Sequence, residues 1–294
     1  MSALRMAVAA ALLSVPAMAG AKPISDKDVI SGKVRLDQTL GYILISGDNR
    51  QSGVFLRVPD AETRKTYEAD RLKAFAKAHQ KYVQAIQASS ATPVAEGTDL
   101  EEPKLDSFTI DPIELRDAES FGPMFAYSKD TRLHYLQSVK PGTYIWYGPI
   151  MVAGGPGTGS CNCMGSVRFE VKPGVVTDLG TSLVDLPRWQ DDKDVARLQL
   201  DQTNAKRVAA GKEPLKAPSS GEVHYGLPDS LAAWPSVRPA FQASGKMNNY
   251  YGATVTRLAP IPGVLAYHRD VVVDARTGVE IANETLVSRA RIKK

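Results

Sequence analysis

Apolar and polar positions change period several times along this chain, and the changes mark its elements. Two short runs, GYILIS (41–46) and GVFLRV (53–58), are rich in β-branched and aromatic residues. Each reads as a strand, and the polar GDNRQS between them reads as a hairpin loop. From Asp60 the period lengthens. Leu72, Phe75, His79, Tyr82, Val83 and Ile86 recur three and four apart, with Lys73, Lys77, Gln80, Lys81 and Gln84 on the other side. This spacing predicts a helix capped by Asp60 and lying on a core, with His79 packed in its apolar face. From Ala88 to Asp106 the pattern dissolves into a surface linker, whose acids are too irregular for a calcium loop.

Strand-like runs then return: MFAYS, RLHYLQSV, TYIWYG, SVRFEV and VVTDLG. The tetrapeptide Val-Lys-Pro-Gly occurs at 139–142 and again at 171–174, each time between such runs. Proline at the first central position and glycine at the second is the composition of a type II turn. After Pro187, DDKDVARLQLDQTNAKRVAAG predicts a second, weaker helix ended by Gly211. ATVTRL, GVLAYHRDVVVD and VEIANETLVSRARI follow as strands, with DARTG as a hairpin turn. In the last run, Arg289 and Arg291 would guard an edge.

The fold class expected is mainly β: a β-sandwich-like domain with an inserted amphipathic helix and a mixed α/β C-terminal extension. The boundaries are 22–187 for the domain, with the helix-and-linker insertion at 60–106, and 188–294 for the extension. GYILI, VKPGTYIW and FEVKPGVVTDLG together resemble exported bacterial β-sandwich domains of unknown function, over residues 33–186. The resemblance implies an envelope-associated sandwich and carries over no catalytic residue.

Export has its own signal. Arg5, the apolar MAVAAALLSV and the small residues around Ala19 make residues 1–19 a secretory leader, with a second cleavage option after Ala21. No later stretch has the apolar length of a membrane span, so no transmembrane anchor is expected. The formal charge of +4 is near balance and gives no case for nucleic acid as a partner.

One stretch invites chemistry: MVAGGPGTGSCNCMG, 151–165. Its glycines suggest a phosphate loop, but aligned from Gly154 to Gly159 the lysine position is Ser160 and the hydroxyl position Cys161. Val167, Phe169 and Val171 then alternate as in a strand, where phosphate binding needs a helix N-terminus. No nucleotide and no other cofactor is therefore expected; the glycines serve a long hairpin loop. Cys161 and Cys163 are the only cysteines. In an oxidising compartment they pair as a local disulfide. Two alternatives stay open: a labile redox pair, or a soft-metal site with Met164 as third donor.

The four histidines show no metal spacing; Asp270 would share the strand face of His268, which reads as a cross-strand polar pair. No nucleophile-elbow motif occurs. Trp146, Tyr250 and Tyr251, the last two beside Asn248 and Asn249, are candidate ligand-contact aromatics, since rings beside amides suit sugar faces; for Trp146 the competing reading is a place in the core. The function expected is an exported, periplasmic or secreted, non-catalytic binding or structural protein of the cell envelope, with an envelope protein or glycan as partner. The alternatives are a thiol-redox or copper-handling protein, and a hydrolase whose site is not visible in linear order.

Overall fold

The computed structural model describes residues 24–90, 101–124, 126–151, 157–184, 195–215 and 223–284. The leader, the middle of the linker, the tip of the glycine loop and the second part of the last predicted strand lie outside them; its first part, 279–284, is described and makes only an isolated bridge from Glu280 to Val273, not a strand. The chain is mainly β. One five-stranded sheet runs β11 (Ser236–Val237), β10 (Val176–Asp178), β1 (Gly41–Gly47), β5 (Leu133–Val139) and β4 (Ser128–Lys129). The other runs β12 (Gln242–Ser244), β9 (Ser166–Val171), β6 (Gly142–Gly148), β2 (Gly53–Arg57) and β3 (Ala118–Phe121). A three-stranded sheet joins β13 (Thr254–Val255), β8 (Thr158–Cys161) and β7 (Ile150–Met151), and β14 (Leu265–His268) pairs with β15 (Val271–Asp274).

Both five-stranded sheets feed one apolar cluster. Ile43, Ile45, Tyr135 and Val139 come from the first sheet, and Phe55, Trp146, Val167 and Phe169 from the second. Phe55 lies at its centre, with ring centroids 4.9 Å from Trp146 and 5.7 Å from both Phe121 and Phe169. The opposite faces are covered too. Tyr42 and Leu44 enter a cluster with Tyr127, Leu136 and Leu231, while Val54 and Leu56 enter another with Ile145, Tyr147 and the two cysteines. Burial on both faces explains why 41–46 and 53–58 read as continuous apolar runs rather than alternating ones.

The hairpin expected from those two runs does not form. β1 pairs with β5 and β10, and β2 with β3 and β6, so GDNRQS carries the chain from one sheet to the other. Two runs of apolar residues cannot report whether the loop between them reverses within a sheet or crosses a core. The Val-Lys-Pro-Gly copies behave alike: each links a strand of one sheet to a strand of the other, β5 to β6 and β9 to β10. Only the second has the positive φ of a type II turn. Gly174 sits at φ 68°, whereas Gly142, at 146°, already belongs to β6.

The first predicted helix is α2 (Ala61–Ser90), capped by Asp60 Oδ1 accepting from the Thr63 amide at 2.7 Å. A short α1 (Asp26–Ile30) precedes it, with Ser25 as its cap, and α3 (Val195–Ala209) follows later and ends just before Gly211 at φ 68°. α2 does not lie on the core as its stripe predicts. Leu72, Val83 and Ile86 are 44%, 38% and 42% exposed. A row at four-residue spacing seats it on the returning segment instead. Arg116 lies over the Tyr67 ring, and Arg71 donates to the Leu105 and Phe108 carbonyls. Phe75 meets the Phe108 ring edge-on, and His79 Nε2 lies 3.5 Å from Glu102. His79 is thus half-exposed beside an acid rather than packed in a core.

The C-terminal third supplies β11 and β12 to the two large sheets and β13 to the small one. GVLAYHRDVVVD is a hairpin, not one strand. Arg269, at φ 57°, turns the chain, and His268 pairs with Val271. Asp270 therefore occupies the turn and does not share a strand face with His268. DARTG turns as expected: the Asp274 carboxylate accepts from the Arg276 and Thr277 amides, and the Asp274 amide donates to the Val279 carbonyl.

Candidate binding corner at the disulfide hairpin

The segments flanking the glycine loop pair with each other as the arms of a hairpin. β7 and β8 pair antiparallel, with Ile150 opposite Gly159, and β8 pairs parallel with β13, Val255 opposite Cys161. Cys161 and Cys163 lie at bonding distance, with sulfurs 2.07 Å and Cα atoms 5.1 Å apart. Both are buried, at 0% and 3% exposure, among Tyr147, Ile150, Met247 and Ala253. Backbone bonds tie this bend to its neighbours: Asn162 N donates to Tyr147 O, Thr256 N to Cys161 O, and Met247 N to Cys163 O, at 2.7–3.0 Å. After the bend, β9 runs as a strand, so no helix N-terminus follows the glycines.

Against this bend sits the loop 247–253. Asn249 holds it closed: its Oδ1 accepts from Ala253 N, and its Nδ2 donates to Ala253 O, like a short piece of ladder. The Tyr147 hydroxyl donates to Asn248 O and accepts from Tyr250 N at 2.8 Å. Tyr251 O accepts from Gly157 N, fastening the loop to the hairpin. Tyr251 meets Tyr147 edge-on at 5.4 Å, and Tyr250 lies 6.2 Å from it. Burial raises the Tyr147 pKa to about 12, and it raises Tyr250 and Tyr251 well above the usual range. The three phenols are neutral donors and acceptors. Glu114, buried in a 3₁₀ turn (Ile113–Leu115), adds to the push on Tyr250. Neither its Oε2 nor the Tyr250 hydroxyl completes a hydrogen bond of good geometry.

Of the predicted aromatics, Trp146 lies elsewhere, fully buried in the core between the large sheets. Tyr250 and Tyr251 are half-buried at the corner, with Asn248 and Asn249 exposed beside them. The structure thus brings together Cys161, Cys163, Tyr250 and Tyr251, residues nearly ninety positions apart, and separates them from Trp146.

A second constellation was invisible in linear order. The Ser46 hydroxyl lies 2.8 Å from His134 Nδ1, and His134 Nε2 lies 3.1 and 3.2 Å from the two Asp130 oxygens. Ser46 and His134 are cross-strand partners of β1 and β5. A nucleophilic triad needs its serine at the substrate end and its acid buried behind the histidine. Here Ser46 is the buried end and Asp130 the exposed one, with side-chain exposure of 55%. The Ser46 amide is also spent on the Gly180 carbonyl at 2.9 Å. The arrangement satisfies buried polar groups at the end of two strands.

Among the described residues, no group of three or more His, Cys, Asp or Glu side chains could hold a metal ion. No helix of the described residues is long and apolar enough to cross a membrane. No protein-family model, curated protein or solved structure matches the chain.

Proposed function

We propose that the protein is an exported, non-catalytic binding module of the cell envelope, working in a periplasm or outside the cell. Its ligand-facing part is the corner made by Asn248, Tyr250 and Tyr251. The observation that carries this reading is the Cys161–Cys163 link beneath a tyrosine and asparagine loop that is hydrogen-bonded on every side. A disulfide suits an oxidising compartment. Two aromatic rings and the exposed amide of Asn248 on a rigid frame suit the face and hydroxyls of a sugar, because little side-chain freedom remains to be lost on binding. The resemblance to exported β-sandwich domains and the leader-like first 19 residues point the same way.

The test is retention on peptidoglycan sacculi. The mature chain should be retained, and a Y250A/Y251A variant of unchanged circular dichroism should be released. Equal retention of both would remove the corner, and no retention of either would remove the glycan.

The thiol-redox and copper readings need sulfurs that a partner can reach, and the burial of both counts against them. The hydrolase reading has Ser46, His134 and Asp130 as its best constellation, and the burial of Ser46 counts against that.

A further inference from the structure

Twenty consecutive residues of α2, Arg71 to Ser90, contain no acid. Lys73, Lys77 and Lys81 fall in this stretch at four-residue spacing, so they stack along one face, and all three are exposed. No ion pair joins any of them to another described residue. The three acids of the helix, Glu62, Glu68 and Asp70, lie in its first ten residues, and the two nearest this stretch are engaged: Glu68 with Arg71, and Asp70 with Arg116. Arg71 and His79 have acids beside them, Glu68 and Glu102, but the charge of the lysine row is not met by an ion pair to any described residue.

A neighbouring stripe is apolar. Leu72, Ala76 and Val83 fall within about 40° of one another around a helix of 3.6 residues per turn. All three are exposed, Leu72 at 44% and Val83 at 38%. The lysine row is centred about 120° away. The row that seats the helix, Tyr67 to His79, faces the returning segment 102–116, which leaves both stripes exposed among the described residues.

We propose that the lysine and apolar stripes of α2 form a docking arm for an anionic phospholipid bilayer. Lys73, Lys77 and Lys81 would meet the headgroups, and Leu72 and Val83 would enter the boundary of the acyl region. A soluble polyanion would explain the lysines alone. The exposed apolar stripe beside them is what selects a bilayer, since a surface helix there buries apolar side chains and is held by its basic ones. The long lysine stems can lie along the apolar boundary while their ammonium groups reach phosphate. The arm is separate from the tyrosine corner, and vesicle binding and glycan retention are independent readouts, so either can fail alone.

The test is co-sedimentation of the mature full chain with vesicles of phosphatidylcholine, with and without phosphatidylglycerol. Binding is expected only with phosphatidylglycerol, and it should fade in high salt as the Debye length falls from about 8 Å to about 3 Å. Each lysine near an anionic bilayer contributes roughly a factor of five, so K73Q/K77Q/K81Q should bind about a hundredfold more weakly. L72S/V83S should also bind more weakly while keeping its helical circular dichroism. Both variants change exposed side chains, so folding is not at stake. No binding to phosphatidylglycerol vesicles would overturn the proposal. So would binding that survives in K73Q/K77Q/K81Q. Binding to dextran sulfate without binding to vesicles would overturn it in favour of a polyanion site, as would vesicle binding unchanged in L72S/V83S.

Discussion

Glu119 gives a stability change with pH whose sign and size can be worked from its place in β3. It pairs with Phe55, the residue at the centre of the core, so its side chain shares the inward face. Burial, and then the neighbouring Asp117, raise its carboxyl to about 7, against a smaller opposing pull from Lys140. Burial also pushes Asp117 up, but Lys140 and Arg57 hold it below the usual range, so it titrates outside this window. Tyr144 stays neutral, pushed above the usual range by burial and by Glu119 itself. The folded chain therefore binds a proton at Glu119 more tightly than the unfolded chain, whose reference value is 4.5. Stability from this group is complete below pH 4.5 and lost as pH rises through about 7. At about 1.36 kcal/mol per pKa unit, the loss is about 3 kcal/mol. Glu119→Gln keeps the shape and removes the titration. Urea unfolding of both proteins from pH 4.5 to 8.5 should show the wild type losing about 3 kcal/mol relative to the variant, with the midpoint of the difference between the two reference values. A difference curve that is flat across this range would refute the reasoning, because the carboxyl would then be solvated in the folded chain.

Three other changes have definite expected outcomes. Arg57 is buried and donates to Asp60, Asp117, Thr63 and the Pro141 carbonyl, joining the helix cap to both sheets' crossing turn. Arg57→Met should cost about 2–3 kcal/mol by removing these hydrogen bonds and leaving Asp117 to Lys140 alone, and hydrogen exchange should accelerate first in the opening turns of α2. Replacing both cysteines by alanine should cost about 1.5 kcal/mol, because so small a ring restricts the unfolded chain little; calorimetry should find a fall of about 3–6 °C in Tm. In intact-mass measurements the native wild type should gain no alkylation until unfolded under reductant, and mild-reductant labelling would restore the redox reading. Ser46→Ala should destabilise the fold by about 1–3 kcal/mol through the unpaired His134 nitrogen. The wild type should take up no fluorophosphonate; a stoichiometric adduct lost in Ser46→Ala would show a working nucleophile.

Local structure was legible in this sequence wherever one face of an element decides it. The alternation at Val167, Phe169 and Val171 marks β9, Asp60 marks the start of α2, and DARTG turns as its residues require. Topology was not legible, because a crossing loop and a hairpin loop carry the same polar residues. GDNRQS and both Val-Lys-Pro-Gly turns show this: each is good turn chemistry, and none says which sheet comes next. The apolar stripe of α2 misled for a related reason. Periodicity reports which side chains share a face, whereas contact depends on what the rest of the chain brings to that face. The corner was half legible. The cysteines and the tyrosines were each conspicuous, but their meeting depends on β8 pairing with β13, a contact between residues almost a hundred positions apart. The Ser46–His134–Asp130 chain left no linear signal, since its first link spans 88 positions.

The way the chain is spent also limits where function can reside. Every residue of β1 and β2 is buried, and three apolar clusters lie between and outside the two large sheets. The C-terminal third contributes to all three, through Leu258 and Val272, Met247 and Ala253, and Leu231. A sheet covered on both faces offers a ligand no broad concave surface among the described residues, and the edge strands β3, β4, β11 and β12 are two to four residues long, short templates for a further strand. The binding surfaces proposed above accordingly lie on segments that leave the sheets. Two do so with distinctive chemistry: the 247–253 loop, with its half-buried Tyr250 and Tyr251 rings, and the acid-free Arg71–Ser90 stretch of α2. The first is rigid, neutral and aromatic, and the second is basic and amphipathic. If the two proposals both hold, a sugar face would meet the first surface and an anionic bilayer the second, and glycan retention and vesicle binding should then be found in one chain and lost independently in Y250A/Y251A and K73Q/K77Q/K81Q.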